Sequence, residues 1–139
     1  MKSIIYSIIF LVTILAGNVA QAQQQTDEKH NYVVLTRKVP QLQPILITAE
    51  NLKEEDAAKF GEFQVIICGQ NIGDITDEAK MNQFLKKAEE LGVKLVACGF
   101  SLNKFNVDKK QVPKQMKVVE NGILYNFQLQ KKGYKSISL

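Results

Sequence analysis

Two short stretches, Phe63–Cys68 (FQVIIC) and Val93–Cys98 (VKLVAC), constrain the fold more than anything else in the chain. Each is an almost unbroken apolar run. A strand that is apolar at consecutive positions must be covered on both faces, as central strands of a parallel sheet are; a half-exposed antiparallel strand would alternate. Parallel neighbours cannot be joined by a tight hairpin, so helices must lie between them. Three further β-type runs accompany the pair: Tyr32–Thr36, Met116–Val119 and Tyr134–Leu139.

The intervening segments carry helical spacing. Leu42, Ile45, Leu46, Ala49 and Leu52 fall at i, i+3, i+4, i+7 and i+10, a single stripe. Pro40 or Pro44 suits the first turn of that helix. Met81, Phe84, Leu85, Ala88 and Leu91 repeat the pattern, with Thr76 as expected N-cap, Asp77 and Glu78 in the first turn and Gly92 as a left-handed stop. A third helix is expected from Gly122 to Lys132, capped by Asn121 and ended by Gly133. Ser101–Phe105 reads as a turn of helix and Asp108–Pro113 as a loop. Strands alternating with helices imply right-handed crossovers and a three-layer α/β/α sandwich with a five-stranded, mainly parallel sheet of the flavodoxin-like kind.

The N-terminus reads as an address. Lys2 precedes an apolar run from Ile4 to Leu15, and Ala20-Gln21-Ala22 supplies an A-x-A cleavage pattern. This describes a cleavable signal peptide over 1–22, and the run is short for a membrane span. Residues 23–31 are polar and read as a flexible arm, leaving 32–139 as one domain. The expected destination is the periplasm or the exterior, with no stable membrane insertion after cleavage. There a cysteine pair meets oxidising conditions.

Composition narrows the chemistry. With one His and two Cys in 139 residues, a four-Cys zinc site is excluded within one chain and any His-based triad rests on His30. His30 falls in the arm and reads as solvated. No cofactor or metal is called for. Asp74 and Asp77 read as helix-start acids rather than cation ligands. Gly69–Gly73 lacks the third Gly of a dinucleotide fingerprint and the Lys of a P-loop, so it reads as a strand-to-helix turn. The lysines at 109, 110, 114 and 117, and at 131, 132 and 135, read as a solvated basic face rather than a nucleic-acid patch.

That leaves the cysteines. Cys68-Gly69 and Cys98-Gly99 end the two central strands, and ligands of open parallel sheets bind beyond the strands' carboxyl ends. Cys68, Gly69, Asn71, Gly99 and Ser101 are therefore the candidate cleft, and Cys98 is the candidate nucleophile. A thiol at the start of a helix tends towards a lowered pKa, and Lys104 could add to this. Three readings stay open: small buried hydrophobes, a reactive Cys98, or a Cys68–Cys98 disulfide. The pair is not C-x-x-C, so no thioredoxin-type motif is present.

The stretches VIICG at 65–69, GVKLVACGFSL at 92–102, VPKQMKVVENGI at 112–123 and LQKKGYKSISL at 129–139 together resemble the DsrE/DsrF-like family of sulfur-relay proteins. The resemblance is closest to exported members and runs from Tyr32 to Leu139. It implies a five-stranded parallel sheet, assembly into homotrimers or hexamers, a thiol or sulfur-donor partner, and a persulfide carried on the cysteine after the third strand, which is Cys98 here. Where cytoplasmic carriers have Arg-Gly shortly after that cysteine, this chain has Lys104-Phe105-Asn106. The expectation is an exported, DsrE-like, sulfur-handling protein. The alternatives are an oligomeric binding module with its cleft at the strand ends, and a thiol–disulfide protein using Cys68 and Cys98.

Overall fold

A computed structural model describes residues 29–139. The expected signal peptide over 1–22 lies outside the described residues, as does the expected arm up to 28. Five strands form one sheet: β1 (His30–Thr36), β2 (Phe60–Ile67), β3 (Lys94–Cys98), β4 (Lys117–Val119) and β5 (Lys135–Ser138). The order is β4-β3-β2-β1-β5 and every pairing is parallel. The three-layer α/β sandwich is as expected. The order differs from the 2-1-3-4-5 arrangement of flavodoxin, because here the chain steps outward one strand at a time before β5 returns to the far side of β1.

Four α-helices connect the strands: α1 (Leu42–Asp56), α2 (Glu78–Leu91), α3 (Gly99–Lys104) and α4 (Gly122–Gln130). Strand periodicity sorts the core into two halves. Val34, Val65, Ile67, Leu95 and Ala97 face the stripes of α1 and α2, together with Leu102 of α3. Val33, Leu35, Ile66, Cys68, Val96 and Cys98 face the other way, onto Leu129 of α4. The connections leaving β1, β2 and β3 thus pass over one face, and the connection leaving β4 passes over the opposite one. A crevice opens beyond the carboxyl ends of β1, β2 and β3, beside the start of α4.

Capping explains where the helices begin. Asn121 Oδ1 accepts from the N–H groups of Ile123 and Leu124, as expected, and fixes the first residue of α4. The N-cap of α2 is Asp77 rather than Thr76. Asp77 Oδ1 accepts from Ala79 and Lys80, whereas Thr76 Oγ1 donates back to the Gly73 carbonyl inside a 3-10 turn over Gln70–Thr76. A carboxylate is the better acceptor at a helix start, which decides between the two. Gly92 takes the left-handed conformation expected of a stop (φ 75°).

His30 is not a solvated arm residue. It opens β1, and its Nδ1 lies 2.8 Å from Asp56 Oδ1, while Tyr32 donates to Asp56 Oδ2 at 2.6 Å. Asn31 is also part of β1 and accepts from the Glu62 N–H. The expected arm therefore ends before His30. Asp74 and Asp77 pair with Lys80. None of the helices among the described residues is long and apolar enough to cross a membrane.

Candidate functional site: a thiol pair beneath the start of a helix

The register of β2 on β3 pairs Ile66 with Val96 and Ile67 with Ala97. One step further, Cys68 comes level with Cys98. Both side chains project onto the α4 face, and both are buried free thiols. Directly above them lies Gly122. A Cβ there would sit 2.5 Å from Cys68 Sγ, 2.8 Å from Ile66 Cγ2 and 3.1 Å from Cys98 Cβ. Only a glycine lets the start of α4 close down on the sulfurs.

That close approach places a donor. The Gly122 N–H points at Cys98 Sγ, 3.2 Å away. Ser101, in the first turn of α3, adds its hydroxyl and N–H dipoles without closing a capping bond to the sulfur. Its hydroxyl is oriented because Oγ accepts from the Gly69 N–H at 2.9 Å, leaving its proton free to turn towards Cys98. Burial by itself would push the Cys98 thiol up; the Ser101 hydroxyl, the Gly122 and Ser101 N–H groups and the Cys68 thiol outweigh it and hold the pKa below the usual value. Cys68 goes the other way. Burial, then the charge on Cys98, push it up to about 12, with Arg37 opposing. The pair thus divides into one sulfur prepared to be a thiolate and one that stays a thiol.

The thiols floor a cleft of about 690 Å³. Leu35, Phe100, Phe105 and Ile123 give it apolar walls; Arg37, Lys38 and Lys104 supply charge. Arg37 and Lys38 come from the turn after β1. Thr36, fully buried, donates its hydroxyl to Gln41 Oε1 and accepts from the Lys38 N–H, which fixes that turn. Gly69, at φ 90°, leaves room for the aliphatic stem of Arg37 to lie across it.

Of the cleft residues expected from sequence, Cys68, Gly69, Asn71, Cys98 and Ser101 line this cavity together. Gly99 does not. It is buried against β4, where a Cβ would meet the Val119 carbonyl at 2.8 Å, so its smallness serves strand packing. Sequence reasoning passed over Arg37, Lys38, Ile123 and the role of Gly122. The first two follow directly from the end of β1, and the rule that ligands gather beyond strand ends reaches them as readily as it reaches the cysteines.

No protein-family model matches the chain, and no curated protein matches its sequence. Two solved structures share the fold. One is a protein of unknown function, MTH1491, from Methanobacterium thermoautotrophicum, with 14% identity and a TM-score of 0.62, covering 81% of this chain and 100% of its own. The other is a protein of unknown function, BT1422, from Bacteroides thetaiotaomicron, with 16% identity and a TM-score of 0.61, covering 84% of this chain and 99% of its own. Likeness at such identity shows the fold, which is the α/β sandwich described above.

Chemically, the cleft offers a thiol whose ionisation is favoured, at the bottom of a cationic, partly apolar depression. Once ionised, such a sulfur can attack a sulfane sulfur or a disulfide.

Proposed function

We propose that this is an exported, DsrE-like protein that accepts sulfane sulfur on Cys98 as a persulfide. The observation that carries the reading is the Gly122 N–H donated to Cys98 Sγ, which favours the thiolate and faces it into an open cleft. A hydrogen bond to a charged group is worth about 1.5–3 kcal/mol, enough to offset much of the cost of burial. The thiolate is the attacking form in sulfur exchange, and the cleft gives a donor access to it.

The test is intact mass after incubation with polysulfide. The chain lacking residues 1–22 should gain about 32 Da per sulfur accepted, and Cys98→Ser should abolish the gain while Cys68→Ser keeps it. Equal loading of the Cys98→Ser variant overturns the proposal.

The register of the two cysteines favours one second reading, a thiol–disulfide protein. Adjacent strands lie about 4.8 Å apart, inside the Cα range of roughly 4.4–6.8 Å that a disulfide accepts. A loss of about 2 Da before any treatment marks that state.

Assembly belongs to the same proposal. Ile123, Leu124 and Phe127 of α4 are each more than half exposed. A second copy of the chain covering this face accounts for apolar side chains left in water.

A further inference from the structure

Three cations line the Cys98 cleft, and no carboxylate does. Across the chain, Lys and Arg number 18 against 14 Asp and Glu, so cations only modestly outnumber acids. Three lysines elsewhere pair with acids, Lys80 with Asp74 and Asp77, Lys87 with Glu50 and Lys94 with Glu62, and most others among the described residues do not. Arg37, Lys38 and Lys104 make no ion pair among the described residues, although they converge on one depression from two separate strand ends.

A nucleophile that is itself negative repels a negative donor. Cations around the thiolate remove that repulsion and raise the local concentration of anions. A neutral or cationic donor gains nothing from them. We propose that Cys98 takes its sulfur from a small anionic sulfane-sulfur donor, either thiosulfate or the persulfide of a carboxylate-bearing thiol, held by Arg37, Lys38 and Lys104. The inference rests on the persulfide reading of Cys98 and names its substrate class.

With thiosulfate, the Cys98 thiolate attacks the outer sulfur. The Sγ–S bond forms, the S–S bond of thiosulfate breaks, and sulfite leaves with the bonding pair. With an organic persulfide, the thiolate attacks the terminal sulfur and the parent thiol leaves as its thiolate, taking the pair. In both cases the sulfane sulfur moves without an external oxidant or reductant. The apolar walls, Leu35, Phe105 and Ile123, suit the carbon body of the organic donor.

The experiment follows Cys98 loading by intact mass with three probes: thiosulfate, glutathione persulfide, and cysteamine persulfide, whose organic part is cationic. Each is run on the parent chain and on Arg37→Gln/Lys104→Gln. Both positions are exposed, so the fold tolerates the change. Dividing parent by variant rate cancels the intrinsic reactivity of each donor. For at least one anionic donor the ratio should be about tenfold at low salt and shrink towards one at roughly 0.5 M salt; for cysteamine persulfide it should stay near one. A charge-dependent rate confined to thiosulfate assigns the inorganic donor, and one confined to glutathione persulfide assigns the organic donor. Equal ratios for all three donors, with loading intact, overturn the anionic donor alone. Absence of loading from these donors and from polysulfide overturns the persulfide reading together with it.

Discussion

Cys68 lies level with Cys98 on the neighbouring strand, one step past the Ile67–Ala97 pair, and the two thiols shift in opposite directions. The asymmetry comes from the Ser101 hydroxyl and the N–H groups of Gly122 and Ser101, which act on Cys98. The Gly122 N–H reaches Cys98 Sγ, whereas at Cys68 burial and the charge of its neighbour act together. A side-by-side pair with equal surroundings would titrate alike; here the surroundings favour ionisation of Cys98 over Cys68.

Alkylation should read that preference. In Cys68→Ser, the remaining Cys98 should react with iodoacetamide with a rate that levels off below the usual thiol pKa. In Cys98→Ser, the remaining Cys68 should react slowly and keep accelerating up to high pH. Identical pH profiles for the two single-thiol chains contradict the division.

Ser101→Ala removes the hydroxyl beside Cys98 and the acceptor of the Gly69 N–H. The alkylation profile of Cys98 should move to higher pH, and stability should fall by about 1–2 kcal/mol in urea titration, since a part-buried donor is left without a partner. An unmoved profile shows that Gly122 alone holds the thiolate.

Gly122→Ala should be among the more damaging small substitutions in the chain. The added carbon meets Cys68 Sγ at 2.5 Å and Ile66 Cγ2 at 2.8 Å, so α4 must lift. Overpacking of this sort costs about 1–3 kcal/mol, and the lift also withdraws the donor from Cys98. Thermal unfolding reads the first effect and thiol titration the second; a Gly122→Ala chain unchanged in both removes the close approach from the account.

Acid should loosen the amino-terminal edge of the sheet. Hydrogen bonds from Lys94, then from Tyr134, hold Glu62 down to about 2. A carboxylate whose folded pKa lies below its unfolded value stabilises fully above the unfolded value, near 4.5, and loses that contribution as pH falls towards 2. Glu62 is partly solvated, so the contribution is no more than about 1 kcal/mol. Glu62→Gln should flatten the fall in stability between those pH values by that amount, measured by urea titration at each pH.

Leu124→Asp/Phe127→Asp should lower the mass in solution without unfolding the domain, because both side chains are already more than half exposed. Light scattering coupled to size exclusion gives the mass, and circular dichroism checks the fold. A parent chain that runs as a monomer removes self-association from the proposal.

The layer architecture was legible because it depends on periodicity: continuous apolar runs in β2 and β3, and 3.6-residue stripes in α1 and α2. Five cleft residues were legible because strand ends were. Gly99 was misplaced because a glycine after a strand serves ligand approach and backbone packing equally well, and only the Val119 carbonyl at 2.8 Å distinguishes them. Arg37 and Lys38 also follow a strand end, but a basic pair reads first as solvated surface; its bearing on the cleft arises when β1 takes its place beside β2. Thr76 was preferred to Asp77 as a cap because one residue of offset lies within the ambiguity of any helix start.

The helix α4 spans nine residues, and it is the layer that packs on the sulfur-bearing face of the sheet. Its first amide steadies the charge on Cys98 while its outer side bears the apolar residues left in water. The donor to Cys98 and the exposed apolar surface are thus carried by one helix. Under the proposed reading, a partner that grips Leu124 or Phe127 also bears on the amide 3.2 Å from Cys98 Sγ.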